Sequence, residues 1–485
     1  MTRPNILIFM PDQLRADAIG CFGNPLAHTP NIDALARRGT RFRNFYANHP
    51  VCSPSRVNLM TGWYPHTHGH RTLTHLIQPE TPNLLKYLKN GGYQVAWAGA
   101  RGDVFAPGVT EASTHFCGWT VKPQKHQMGM GPQYPEGSLE YNLFYHGRRP
   151  GSEPWIDFDE ACTQTAINWL DNGTKEPWCL WMPLLFPHLP FEVETPWYNL
   201  FDPKQFPAPL PPSAGKPQFH QALRDGYGLD VPLELWQEIT RVYYGMVSRV
   251  DDQLGRTMQA LERSGQLENT LVLFLTDHGE YLGDFGLVEK WPSGLDNCLL
   301  QNPVIFAGPG VAEAAVTDTF AEMVDVLPTL LEAAHIDAQH SHFGRSLSAT
   351  LADPSMAHRD RAFSEGGFAL HETALLEQPK GEYKQKGALQ KTHPELVGRA
   401  ISMRTQQYTY VYRLYEGDEL YDREADPSEQ HNLLLEPGHE VTAETLKAET
   451  LKAEILKWLL ETADTIPWQA DPRFPAIANG YHGLS

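Results

Sequence analysis

The chain has 485 residues, with 39 Lys plus Arg against 58 Asp plus Glu, a formal net charge of −19 at pH 7. Such an acidic surface lacks the basic face that phosphate binding needs, which argues against nucleic acid as the main partner. A hydrophobic share of 41% with 20% charged residues belongs to a folded globular protein, and no stretch approaches the roughly 20 apolar residues of a membrane span. The first apolar run is too short for a signal-peptide core, so the expected location is cytoplasmic, with no membrane partner. Six cysteines (21, 52, 117, 162, 179, 298) without CxxC spacing indicate neither a disulfide framework nor a thiolate zinc site.

In chain order, short apolar runs at 6–10, 94–98, 179–185, 271–275 and 303–306 predict buried parallel strands. Helical patterns at 31–38, 82–89, 158–170 and 235–263 alternate with them, which reads as an α/β fold built on a doubly wound sheet. Chemistry in such sheets sits beyond the C-terminal ends of the strands. Residues 101–157 and 186–232, rich in Gly, Pro, Trp and His, are expected to be packed loops enclosing a substrate. Residues 401–414 alternate like a strand, and 443–460 carry Glu-Thr-Leu-Lys-Ala twice, a helix of strong formers. The expected division is a catalytic α/β domain over 1–364 and a small C-terminal α+β subdomain over 365–485.

Cys52-Ser53-Pro54-Ser55-Arg56 is the most informative segment. Ser53 suits an N-cap and Pro54 the first helical position, with 57–61 continuing to a stop at Gly62. Residue 52 then sits at a helix N-terminus, where backbone N–H groups favour an anion and Arg56, one turn on, adds a cation. Taken alone, a single cysteine is more often a small buried apolar residue.

The same segment, followed by Leu59-Met60-Thr61-Gly62, resembles the signature of the type I, formylglycine-dependent sulfatases of the alkaline phosphatase superfamily. The resemblance implies a large, mostly parallel mixed sheet flanked by helices. It also implies that a maturation enzyme oxidises Cys52 to formylglycine, whose hydrate supplies one oxygen to attack sulfur and a second whose deprotonation expels sulfate. Further along, Asn5 to Leu14 resembles the family's opening strand, with Asp12 and Gln13 as metal ligands, and Thr276 to Glu280 resembles the second ligand pair, Asp277 and His278. This mainly hard-oxygen set favours Ca²⁺, with Mn²⁺ as the alternative because of His278. His188, in Pro187-His188-Leu189-Pro190, and Lys290, in Glu289-Lys290-Trp291, resemble the family's substrate histidine and sulfate-binding lysine; with Cys52 and Arg56 they form the expected catalytic set.

Two departures stand out. Typical sulfatases carry Asp-Asp where this chain has Asp12-Gln13, and its ligand set is instead similar to the phosphonate monoester hydrolase branch. The family's Gly-Lys-x-His segment is replaced by Gly99-Ala100-Arg101-Gly102, so Arg101, His70 and, preferentially, His75 are the candidates to bind substrate in its stead. The expected activity is hydrolysis of a small sulfate monoester of a sugar or an aryl alcohol. The alternatives are hydrolysis of a phosphonate monoester or phosphodiester at the same centre, or a degenerate, non-catalytic metal- and anion-binding protein.

Overall fold

In the computed structural model, which describes residues 3–99, 103–151, 154–228, 230–435 and 443–465, the catalytic layer is one eight-stranded sheet. Its strands lie in the order Ala315–Glu322, Gly39–Tyr46, Val304–Ala307, Thr270–Phe274, Asn5–Met10, Trp178–Pro183, Gln94–Ala98, Phe116–Gly118. The five from Thr270–Phe274 to Phe116–Gly118 are mutually parallel, as are the two at the other edge. Val304–Ala307 corrects the sequence reading: it runs antiparallel to both neighbours. Two strands gave no apolar run, because Gly39–Tyr46 and Ala315–Glu322 alternate buried with half-exposed positions.

Strand pleat divides the core into two layers. Ile6, Ile8 and Met10 join Leu271, Leu273 and Leu275 on one face, under the helices Cys52–Thr61, Leu84–Asn90 and Val326–Ala333. Leu7 and Phe9 join Val272 and Phe274 on the other, under Phe158–Asp171 and the long helix Leu233–Arg263. Asp251, on that long helix, accepts the Asn31 and Ile32 backbone N–H groups and so caps the helix Pro30–Arg37.

A four-stranded antiparallel sheet, Arg361–Gly366, Ala400–Thr405, Tyr408–Arg413 and Glu419–Asp422, packs against the helix Ala443–Thr462 through Met403, Tyr410, Leu451, Ile455 and Trp458. The division expected at 364/365 falls inside the first of these strands. The run 401–414 is a hairpin, two strands turning at residues 406 and 407, where one strand was expected. Both long loops are packed: Tyr145–Arg148 from one pairs with Phe191–Val193 from the other. No helix among the described residues is long and apolar enough to cross a membrane.

Candidate active site

Three adjacent parallel strands end together, and the site stands on their ends. Phe9 is in register with Phe274 and Met182, so Asp12, Asp277 and, after a short turn, His188 emerge side by side. Gly39–Tyr46 leads into the helix Cys52–Thr61 on the same edge. That helix starts one residue earlier than its sequence suggested: Cys52 is its first residue, and extended Val51, whose side chain makes no capping bond, holds the cap position. Ser53 is therefore not the N-cap; its Oγ is buried without a hydrogen-bond partner. The positive end of the helix dipole suits the start of this helix to an anion. Gly62 closes the helix at φ +68, as expected.

Ligand atoms of Asp12, Cys52, Asp277 and His278, all buried, lie within 4.8 Å of one another. Cys52 Sγ is 3.2 Å from His278 Nε2 and 3.7 Å from Asp12 Oδ1. The His278 Nδ1–H donates to the Gly279 carbonyl at 2.9 Å, which leaves Nε2 facing the cluster as an acceptor. Burial holds this imidazole below its usual pKa and thus neutral. Arg56, fully buried, donates from Nε to Asp277 Oδ2 and from Nη2 to Asp12 Oδ2, both at 2.9 Å, and from Nη1 to Asp103 at 3.1 Å. Its planar fork fixes both ligand carboxylates at once. Two carboxylates, a neutral imidazole and the residue-52 position suit a hard divalent cation.

Gln13 adopts φ +64, a left-handed conformation costly for a residue with a Cβ. The twist lets its N–H donate to Asp277 Oδ1 at 3.1 Å while its carbonyl accepts the Tyr243 hydroxyl at 2.8 Å. Its side-chain Nε2 donates to Glu280, and Oε1 accepts from Lys290 Nζ at 2.7 Å. Lys290 Nζ also donates to His188 Nε2 at 2.9 Å and pairs with Glu289 Oε1 at 2.7 Å. Burial opposes the Lys290 charge, but Cys52, Glu289 and Asp12 outweigh it and hold the ammonium protonated. His188 donates Nδ1–H to the Leu189 carbonyl at 2.8 Å; burial, with Lys290 beside it, pulls its pKa down to about 4. The ring is thus neutral, with its free lone pair turned to Lys290.

The structure therefore assembles Cys52, Arg56, Asp12, Gln13, Asp277, His278, His188 and Lys290 in one place. It does not bring His70 and His75 there. His70 Nδ1 donates to the His75 carbonyl at 2.7 Å and His75 Nδ1 meets Thr72 Oγ1 at 2.6 Å, so both serve their own exposed turn. Arg101 lies outside the described residues. Sequence reasoning missed Asp103, the third carboxylate on Arg56, which stands just beyond the segment that departs from the family pattern. It also missed Tyr383, from the C-terminal region, a half-buried residue whose phenol feels the charges of Glu289, Lys290 and Cys52 and whose ring meets Phe144 at a tilt of 50°, centroids 4.7 Å apart. His49, three residues before Cys52, is buried; Val51 N–H donates to its Nδ1 at 3.1 Å, and burial drives its pKa down to about 3.

The sulfatase family model matches residues 4–336. The chain belongs to the sulfatase family. A choline-sulfatase of Rhizobium meliloti is 26% identical, across 99% of this chain and 92% of that protein. A multifunctional alkaline phosphatase superfamily protein of Trinickia caryophylli is 27% identical, across 90% and 93%. Among solved structures, the phosphonate monoester hydrolase of Agrobacterium radiobacter superposes with a TM-score of 0.75 at 24% identity, covering 95% of this chain and 96% of that one, which establishes the shared fold.

Proposed function

We propose that this sulfatase-family chain hydrolyses a small sulfate monoester, with Cys52 acting after conversion to formylglycine. The observation that carries the reading is the buried convergence of Cys52 with Asp12, Asp277 and His278 at a helix N-terminus, with Arg56 one turn on. Asp12, Gln13, Asp277 and His278 would hold the divalent cation, Ca²⁺ by preference, which supplies charge neutralisation for the anionic group being transferred. The formylglycine hydrate supplies a nucleophilic oxygen and a second hydroxyl for release of sulfate.

The remaining residues bind and move protons. The positive end of the helix dipole and the Arg56 guanidinium face the nonbridging oxygens, where charge accumulates. Arg56 also fixes the two ligand carboxylates, so the site needs little reorganisation. Lys290 is the proton reserve on the leaving-group side. It is protonated, and one of its hydrogens already points at the His188 Nε2 lone pair. Neutral His188 has its Nδ1–H tied to Leu189 and offers only the Nε2 lone pair, which accepts that hydrogen bond; it therefore orients the ammonium, and the proton for the departing oxygen comes from Lys290. Glu280, buried beside Gln13, holds the amide nitrogen away from the centre and leaves its oxygen inward.

A second reading, phosphonate monoester or phosphodiester hydrolysis, is favoured by the Asp12-Gln13 and Asp277-His278 pairs, which are similar to that branch, and by the superposition on a phosphonate monoester hydrolase. Matched aryl sulfate, phosphonate and phosphodiester substrates separate the two. A larger kcat/KM on the sulfate is expected, and a phosphonate preference of several orders of magnitude would overturn the sulfatase reading. Conversion of Cys52 with no hydrolysis of any of the esters would instead favour a binding protein. A cytoplasmic location and a maturation enzyme as partner belong to the same proposal.

A further inference from the structure

The turn carrying Lys290 is held from outside the catalytic layer. Lys386, in the helix Lys384–Thr392, is only 6% exposed, and its ammonium contacts both the Glu289 carboxylate and the Lys290 carbonyl. The other Glu289 oxygen pairs with Lys290 Nζ at 2.7 Å, and the Lys290 backbone N–H donates to Glu289 Oε2 at 2.7 Å. One buried carboxylate thus bridges two ammonium groups. Glu289 has φ +69, a left-handed turn that lets its side chain fold back over the residue that follows. The same face is fastened twice more, by Trp291 Nε1 to the Leu396 carbonyl at 2.7 Å and by Lys386 over the Trp291 ring at 5.7 Å.

The consequence for Lys290 is electrostatic. Its three donors go to Gln13, His188 and Glu289. With Lys386 present, Glu289 divides its charge between two cations. Without Lys386, the carboxylate would have only Lys290 to balance it in a water-poor pocket, where an unpaired charge is costly. The ammonium would then be drawn toward Glu289 and away from His188.

We propose that Lys386 is a positioning residue for the leaving-group proton: by sharing Glu289, it keeps Lys290 directed at His188 and the reacting centre. The inference rests on the hydrolase reading above for the role of Lys290.

The test uses the full chain and aryl esters of graded leaving-group pKa, from the ester class the wild type turns over. Lys386→Met is expected to steepen the dependence of kcat/KM on leaving-group pKa, losing roughly tenfold to hundredfold on the poorest leaving group and little on the best, the size of one charge-assisted contact. Lys386→Arg, which keeps the charge, should restore the wild-type slope. Lys386→Met combined with Glu289→Gln removes cation and carboxylate together and should be more active than Lys386→Met alone. Equal loss across all leaving groups, or a double variant no better than the single, would overturn the proposal and mark Lys386 as packing only. If the wild type hydrolyses no ester, the hydrolase reading fails separately, and inorganic sulfate binding decides. Lys386→Met should then weaken sulfate about as much as Lys290→Met, with no further loss when Lys386→Met and Lys290→Met are combined, whereas wild-type affinity in Lys386→Met would refute the positioning role.

Discussion

Replacing Arg56 by lysine tests whether the guanidinium organises the two ligand carboxylates. The side chain is fully buried and makes charge-assisted bonds to Asp277, Asp12 and Asp103. A lysine ammonium is a point charge on a flexible stem and cannot reproduce a planar fork, so it retains one good contact and loses two. At about 1.5–3 kcal/mol for each such bond, less the charge that lysine keeps, the expected destabilisation is about 3 kcal/mol. Arg56→Met, which leaves Asp12 and Asp277 without their guanidinium, should cost about 4 kcal/mol. Denaturant unfolding with chelator and again with saturating Ca²⁺ reads both values. A dication held by the same carboxylates takes over part of the missing positive charge, so the deficit of Arg56→Met should narrow when Ca²⁺ is present. An Arg56→Lys chain within about 0.5 kcal/mol of wild type, the range of an ordinary surface substitution, would refute the reasoning. So would a deficit that widened with metal.

Two further outcomes follow from the surroundings of the site. His146 lies between Glu192 and Glu382, at 3.2 and 3.0 Å; burial lowers its pKa, but the two carboxylates outweigh this and raise it to about 9. A histidine whose folded pKa is raised contributes stability that is complete below the unfolded value near 6.5 and is lost as pH rises through about 9. The contribution is at most about 3 kcal/mol, and about 2 kcal/mol once solvent screening is allowed for, so thermal melts should show the wild type losing stability over that interval while His146→Gln stays flat. Gly279 follows the ligand His278, and a Cβ there would stand 1.9 Å from the Cys298 carbonyl oxygen. Gly279→Ala is therefore expected to lower stability by about 1–3 kcal/mol and to weaken Ca²⁺ binding in calorimetry; unchanged values on both would contradict the close packing of this loop.

The convergence of Asp12 and Asp277 was legible because each follows a buried apolar strand directly, so that strand register alone brings them side by side. Cys52 and Arg56 were legible for a related reason, being one helical turn apart. The direction of Val304–Ala307 was not, since an apolar run four residues long carries no sign of its orientation. Gly39–Tyr46 and Ala315–Glu322 escaped notice because strands near a sheet edge bury only part of each face. Ser53 has good capping chemistry, yet the helix begins before it, at Cys52. Tyr383 and Lys386 lie about a hundred residues past the Glu289-Lys290 turn that they meet, a separation no local pattern can bridge. His70 and His75 follow the nucleophile helix in sequence, but the turn that carries them closes on itself.

The central claim is that residue 52, as an aldehyde, is the reacting group. Its most direct measurement is the rate of aryl sulfate hydrolysis against the fraction of position 52 converted, in preparations made with and without a co-expressed maturation enzyme. Activity rising in proportion to the aldehyde fraction, and vanishing in the all-cysteine and Cys52→Ala chains, is the expected result. Equal turnover by converted and unconverted protein would contradict it.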